Sequence, residues 1–227
     1  IILCMIFART AAMSFNRYTD RKIDIKNPRT ANREIPKGII KPQMALLLSI
    51  IYSLLFILTT YFINQMTLIL SPVAIFIVLG YSLTKRFTAL CHFILGLGLS
   101  LAPIGAYISV TGEFALTPVL FSFLVLFWTA GFDIIYSLED EYFDKSQNLY
   151  SIPAKIGKKN AMLMSLLIHI IPAIILIYVG LTGHYGLFFW FGTFVFVFLL
   201  FYQHLIIKPD DLSRLNLAFF TTNGIAS

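Results

Sequence analysis

Four stretches of this 227-residue chain, 42–84, 87–112, 114–132 and 160–207, contain no Asp, Glu, Lys or Arg. Crossing the hydrocarbon core of a bilayer takes about 20 mostly apolar helical residues, so each stretch has room for one span and the longest have room for two. A helix also satisfies its own backbone hydrogen bonds, which is what lipid demands. The feature predicts an all-α fold, a polytopic transmembrane helical bundle. Composition agrees: 58% of the residues are apolar and 12% are charged, where a soluble domain carries about 25% charge. A soluble enzyme and a disordered chain are excluded. The net charge of +6 does not indicate a nucleic-acid partner, because phosphate contacts need a basic outer face and few charges are left to form one. The expected surroundings are a lipid bilayer.

Spans are read at 1–18, 44–63, 67–83, 89–110, 114–132, 161–182 and 186–207, with an eighth starting near Leu215 and cut off at Ser227. The chain starts mid-helix without a Met, so it reads as one transmembrane domain over 1–227 with material missing at both ends. Residues 1–7 followed by Ala8, Ala11 and Ala12 mimic a signal peptide, but the continuing polytopic pattern favours an internal span. The connections 17–41, 84–88, 133–159 and 208–214 hold 8, 2, 4 and 2 Lys/Arg, and the intervening loops near 64–66, 111–113 and 183–185 hold none. By the positive-inside rule the charged side is cytoplasmic. The remaining cation, Arg9, lies inside the first span. Cys4 and Cys91 lie in apolar stretches and read as packing residues rather than a disulfide.

Of the 28 charges, 20 fall in two stretches, 17–41 and 133–159. In the first, Asn16, Asp20 and Asp24 are spaced i, i+4, i+8, which sets three oxygen ligands on one helical face. Continued backwards through Met13 or Ala12, that stripe reaches Arg9, as expected of a polar cavity, since an Arg facing lipid is costly. In the second, Asp133, Tyr136 or Ser137, Asp140 and Asp144 form a similar stripe, with Glu139 and Glu141 pointing elsewhere. Both clusters fall at cytoplasmic ends of spans and are expected to face each other. Such a set of carboxylates repels itself unless cations are present. Oxygen-only ligands suit a hard ion such as Mg²⁺, which usually also takes substrate phosphate oxygens. Lys22, Lys26, Arg29, Arg33, Lys85, Arg86 and Lys155 lie around them, which points to a diphosphate substrate. A charged cluster following a span twice also has the shape of an internal repeat.

The motifs Asn16-x₃-Asp20-x₃-Asp24, Asn27-Pro28-Arg29-Thr30-Ala31-Asn32-Arg33-Glu34-Ile35-Pro36 and Asp133-x₂-Tyr136-x₃-Asp140-x₃-Asp144 resemble the UbiA superfamily of intramembrane prenyltransferases. The wording is closest to bacterial 4-hydroxybenzoate polyprenyltransferases and their relatives in menaquinone synthesis. The likeness covers the whole chain, including Tyr81-Ser82-Leu83-Thr84-Lys85-Arg86 and Ser151-Ile152-Pro153-Ala154. It implies a bundle of nine spans, of which about seven and a part are present here, in a bacterial inner membrane with the active site facing the cytoplasm. It implies that Asn16, Asp20 and Asp24, with Asp133, Asp140 and Asp144, hold Mg²⁺ ions bridging a polyprenyl diphosphate, the five Asp being the catalytic set. Arg29, Arg33, Lys85, Lys155 and Tyr81 would line the diphosphate site, and Arg9 would anchor the carboxylate of an aromatic acid acceptor. Ser137 departs from relatives that carry another Asp there, so the second site is expected to rely on Asp140 and Asp144 for its metal. The implied activity is prenyl transfer to a 4-hydroxybenzoate-type ring in quinone synthesis; a dihydroxynaphthoate acceptor is the alternative. The base taking the ring proton is either Asp133 or the displaced diphosphate.

His92, His169, His184 and His204 are scattered singly and read as packed or interfacial. Gly96, Gly98, Ala102 and Ala106 read as small-residue helix packing. A secondary transporter would place carboxylates nearer the midplane with broken helices. A CDP-alcohol phosphotransferase would keep them in one Asp-Gly-initiated motif, which the sequence lacks.

Overall fold

The computed structural model describes residues 1–226. In chain order the helices are α1 (Ile2–Asp24), α2 (Pro42–Tyr61), α3 (Gln65–Thr84), α4 (Cys91–Thr111), α5 (Leu116–Tyr136), α6 (Glu141–Ser146), α7 (Ile152–Gly183), α8 (Leu187–Ile206) and α9 (Asn223–Ala226). A 3₁₀ turn, Ser137–Asp140, joins α5 to α6. A π-helical turn, Leu217–Thr222, precedes α9. Six of these elements are long and apolar enough to cross a membrane: α2, α3, α4, the run Leu116–Ser146, α7 and α8. The protein is an integral membrane protein of the helical-bundle class.

The first expected span is not among those six. α1 continues past residue 18 to Asp24, and Arg9, Asn16 and Arg17 dilute the apolar character of its inner turns. The segment after Leu215 forms only a π turn and one short helix among the described residues. The sixth expected span starts earlier than residue 161, because Ser151 caps α7 by accepting from the Ala154 N–H at 3.3 Å and Pro153 occupies the first turn, a favourable helix start. Within α7 the regular geometry breaks at Gly157 (φ 80°, ψ 162°), a left-handed backbone that a side chain disfavours.

The chain forms two compact units. The first comprises residues 1–84 and 101–115, that is α1, α2, α3 and the second half of α4. In it α1 packs against α2 and α3. Its interior is small and polar, with Ala11, Ala45, Ser49, Thr60, Thr67 and Ser71 buried. The Asn64 amide donates to the Ile108 carbonyl at 2.8 Å. Much of its large apolar surface, such as Leu54, Leu58, Ile69 and Phe76, is exposed. A helix that hides small polar residues and shows large apolar ones outward is built for lipid.

The second unit comprises residues 85–100 and the chain from 116 onwards. Here α5 packs along α7, and α7 along α8. Ile134, Ile135, Leu138, Ile152, Ala161 and Ile168 form one core, and Leu124, Leu176, Phe196 and Leu200 another. A Cβ on Gly96 would overlap the Leu126 carbonyl, and one on Gly131 would overlap the His169 ring, so both glycines serve close approach, as expected for Gly96. His169 and His204 are not single: Nδ1 of the first and Nε2 of the second share a hydrogen bond of 2.8 Å.

Candidate active site

In the first unit the acidic motif lies on the last turns of α1. Asn27-Pro28 follows, and a residue before Pro avoids the α region, which ends the helix. Asn27 Oδ1 accepts from the Arg29 N–H at 3.0 Å, and the buried Thr30 hydroxyl donates to the Asp24 carbonyl at 3.1 Å. The loop is thereby folded back on the helix end. Asn16 Nδ2 donates to Asp20 Oδ2 at 2.9 Å, so the expected i, i+4 pair forms. Asp24 is 4% exposed and stands in the last turn of a helix, where the macrodipole disfavours a negative charge. Arg33 offsets this: its Nη1 is 2.8 Å from Asp24 Oδ1. Oδ2 of Asp24 is buried with no hydrogen-bond partner among the described residues. Arg17 reaches Glu34 at 3.8 Å, and Arg21 lies over the Tyr18 ring. Arg9 and Arg29 are exposed and Tyr81, on α3, is half-buried.

In the second unit the acidic residues occupy three different elements. Asp133 is on α5, Asp140 ends the 3₁₀ turn and Asp144 is on α6. The expected single stripe therefore does not run along one α-helix: each 3₁₀ residue turns about 20° further than an α residue. Asp144 is fully buried. The Lys85 ammonium lies 2.8 Å from its Oδ1, and the Lys85 carbonyl accepts from the Tyr150 N–H at 2.7 Å, so side chain and backbone tie Lys85 to α6 and to the segment that follows it. Oδ2 of Asp144 has no hydrogen-bond partner among the described residues. Asp140 is buried too, at 5% exposure. Ser137 is buried, its hydroxyl donating to the Ile134 carbonyl at 2.8 Å. Glu139 is exposed, and Glu141 makes an i, i+4 pair with Lys145 at 2.6 Å. Lys155, in the first turn of α7, is exposed.

Asp133 is held by His92, a residue that reads from the sequence as packing. His92 Nδ1 is 2.7 Å from Asp133 Oδ2, with the His92 side chain 3% and the Asp133 side chain 24% exposed. A signal exists: Asp133 has no cation within a helical turn in sequence, and His92 follows the basic Lys85-Arg86 loop that is expected on the same membrane side.

Among the described residues no three Asp, Glu, His or Cys side chains converge closely enough to hold a metal ion. Among the described residues, each unit nevertheless buries a carboxylate that is paired with a cation and has a second oxygen with no hydrogen bond: Asp24 and Asp144. That donor chemistry, hard oxygen with capacity to spare, fits a hard divalent cation.

The UbiA prenyltransferase family matches this chain over residues 1–225. The chain belongs to that family. As a UbiA-family member it is an enzyme of the prenyltransferase class. It is 31% identical over 226 residues to the 4-hydroxybenzoate octaprenyltransferase of Nitrosomonas europaea, an alignment covering 100% of this chain and 77% of that protein. Among solved structures, the apo UbiA homolog from Aeropyrum pernix K1 superposes with a TM-score of 0.90 at 30% identity, over 99% of this chain and 84% of that one. A UbiA homolog from Archaeoglobus fulgidus bound to GPP and Mg²⁺ has a TM-score of 0.74 at 19% identity, over 99% and 82%; that likeness concerns the fold.

Proposed function

We propose that this UbiA-family enzyme transfers a polyprenyl group from polyprenyl diphosphate to the ring of 4-hydroxybenzoate, with Mg²⁺ as cofactor. The observation that carries this is the recurrence, once in each unit, of a buried carboxylate tethered to one flexible cation: Asp24 to Arg33 and Asp144 to Lys85, each at 2.8 Å. A carboxylate and a cation kept together in this way are the two kinds of group that a magnesium diphosphate engages. The likeness to the Nitrosomonas 4-hydroxybenzoate octaprenyltransferase supports the acceptor. The GPP and Mg²⁺ bound to the Archaeoglobus homolog support a prenyl diphosphate donor and a magnesium ion.

Asn16, Asp20 and Asp24, and in the second unit Asp133, Asp140 and Asp144, are the residues that would hold Mg²⁺. When bound, the ion would neutralise charge developing on the leaving diphosphate. Arg29, Arg33, Lys85 and Lys155, with Tyr81, bind the diphosphate oxygens as the allylic C–O bond breaks and its electron pair leaves with the diphosphate. The ring carbon ortho to the phenol hydroxyl then bonds to the allylic carbon, and the ring proton goes to Asp133 or to the released diphosphate. Arg9 pairs with the acceptor carboxylate. The apolar spans keep water from the allylic cation and take the isoprenoid tail from the bilayer. The count of 16 Lys/Arg on one set of loops against none on the other supports a cytoplasmic site, and the likeness to the Nitrosomonas enzyme supports the inner membrane of a bacterium.

The test offers radiolabelled polyprenyl diphosphate to the protein in nanodiscs, with 4-hydroxybenzoate or a dihydroxynaphthoate, each with Mg²⁺ and with EDTA. Product from 4-hydroxybenzoate that EDTA abolishes is expected. Product from the naphthoate alone would move the enzyme to menaquinone synthesis. No product from either, in protein that still binds the donor, would overturn the acceptor assignment.

A further inference from the structure

Three distant segments meet at the His92 ring. His92 lies in the first turn of α4, Asp133 near the end of α5 and Ile152 at the start of α7. The Ile152 N–H points at His92 Nε2 at 3.2 Å. It is one of the donors at a helix start that have no partner within the helix. A backbone N–H only donates, so Nε2 must present its lone pair, and the single ring proton of a neutral imidazole then sits on Nδ1. Nδ1 faces Asp133 Oδ2 at 2.7 Å. The backbone of α7 therefore selects the tautomer, and the tautomer dictates a donor toward the carboxylate. A buried ring cannot turn over without losing both bonds.

We infer that His92 is a positioning residue for Asp133: it takes Oδ2, fixes the carboxylate plane, and leaves Asp133 to engage magnesium or the ring proton through Oδ1 alone. This rests on the prenyl-transfer role proposed for Asp133. Nothing in the motifs marks His92, which lies 41 residues before Asp133. Outer partners of this kind orient the group that does the chemistry, and their loss typically costs about 10–100-fold.

Two amide replacements separate a positioning role from a purely structural one. In Asn the amide nitrogen stands where His carries Nδ1, so His92→Asn keeps a donor for Asp133 and loses the acceptor for Ile152. In Gln the amide reaches the Nε2 side, so His92→Gln keeps the Ile152 bond and loses the donor. The expected result is that His92→Gln lowers kcat about 10–100-fold with little change in donor KM, while His92→Asn keeps most of kcat and loses thermal stability. The reverse order, or no loss in either variant, would overturn the inference. In an Asp133→Asn background His92→Gln should add no further loss, because the two act as one unit; a further tenfold loss would overturn it as well. A readout independent of turnover is the ¹⁵N spectrum of histidine-labelled protein without substrate. His92, assigned by its disappearance in His92→Gln, should show a neutral ring protonated at Nδ1 and should shift in Asp133→Asn. A ring protonated at Nε2 would refute the geometry, whereas a correct spectrum in a protein that makes no prenylated product would instead refute the proposed reaction.

Discussion

The two units solve one electrostatic problem with different local structure. In the first, the carboxylates lie on an uninterrupted helix, and the most buried one, Asp24, meets its cation through a loop that folds back nine residues later. In the second, a helix, a 3₁₀ turn and a second helix present Asp133, Asp140 and Asp144, and the most buried one, Asp144, meets Lys85 from far away in sequence. The first is built from local sequence and stands in a unit with few buried large side chains. The second is braced by a core of Ile and Leu and by long-range hydrogen bonds. Local patterning is enough to gather ligands on one face, and tertiary packing is needed once the helix breaks.

The largest effect that tests this parallel is on turnover. Asp24→Asn and Asp144→Asn should each lower kcat by roughly 10³-fold, since each removes a carboxylate proposed to hold the Mg²⁺ that would neutralise the leaving diphosphate, with membrane insertion unchanged; the labelled-donor assay reads both. If only one variant loses activity, the two carboxylates are not equivalent. Arg33→Gln and Lys85→Gln come next. Each should raise the donor KM by about tenfold, the size of a charge-assisted hydrogen bond of about 1.5 kcal/mol, and steady-state kinetics with varied donor would show it.

Stability should separate the units by sign. Gly131→Ala drives a Cβ into the His169 ring and should destabilise by about 1–3 kcal/mol. Gly80→Ala, in α3 with nothing near the added carbon, should stabilise by about 0.5–1 kcal/mol through helix propensity. Thermal unfolding in detergent reads both, and equal shifts would erase the contrast in packing. The smallest effect belongs to the exposed pair Glu141–Lys145: Lys145→Ala should move stability by less than about 0.5 kcal/mol.

Much of the molecule is legible in the sequence because lipid imposes simple rules. Uncharged stretches locate the helices α2 to α5 and α8 within a few residues of their ends, and α7 at its far end. The spacing of Asn16 and Asp20 implies their hydrogen bond directly, since i, i+4 contacts need nothing beyond a helix. Three features are not legible. The 3₁₀ turn at Ser137–Asp140 depends on how Leu138 and Ile135 bury among other elements, so strict α periodicity misplaces the second stripe. The start of α1 reads as a full span only as long as Arg9 and Asn16 count as site residues and not as a loss of apolarity. His92 escapes notice because its partners are 41 and 60 residues away, and the one cue, an Asp133 with no cation nearby in sequence, does not single out which residue answers it.

The break at Gly157 carries a practical consequence for anyone recombining relatives of this enzyme. The five residues before it include Ile152, whose N–H faces His92, and the long part of α7 after it packs along α5. One positive φ sets the angle between those two pieces, and another residue there would strain the backbone by about 1–3 kcal/mol. A crossover point for chimeras that exchange the apolar length of α7 therefore belongs after Gly157, so that the turn and the glycine travel together as a single cassette.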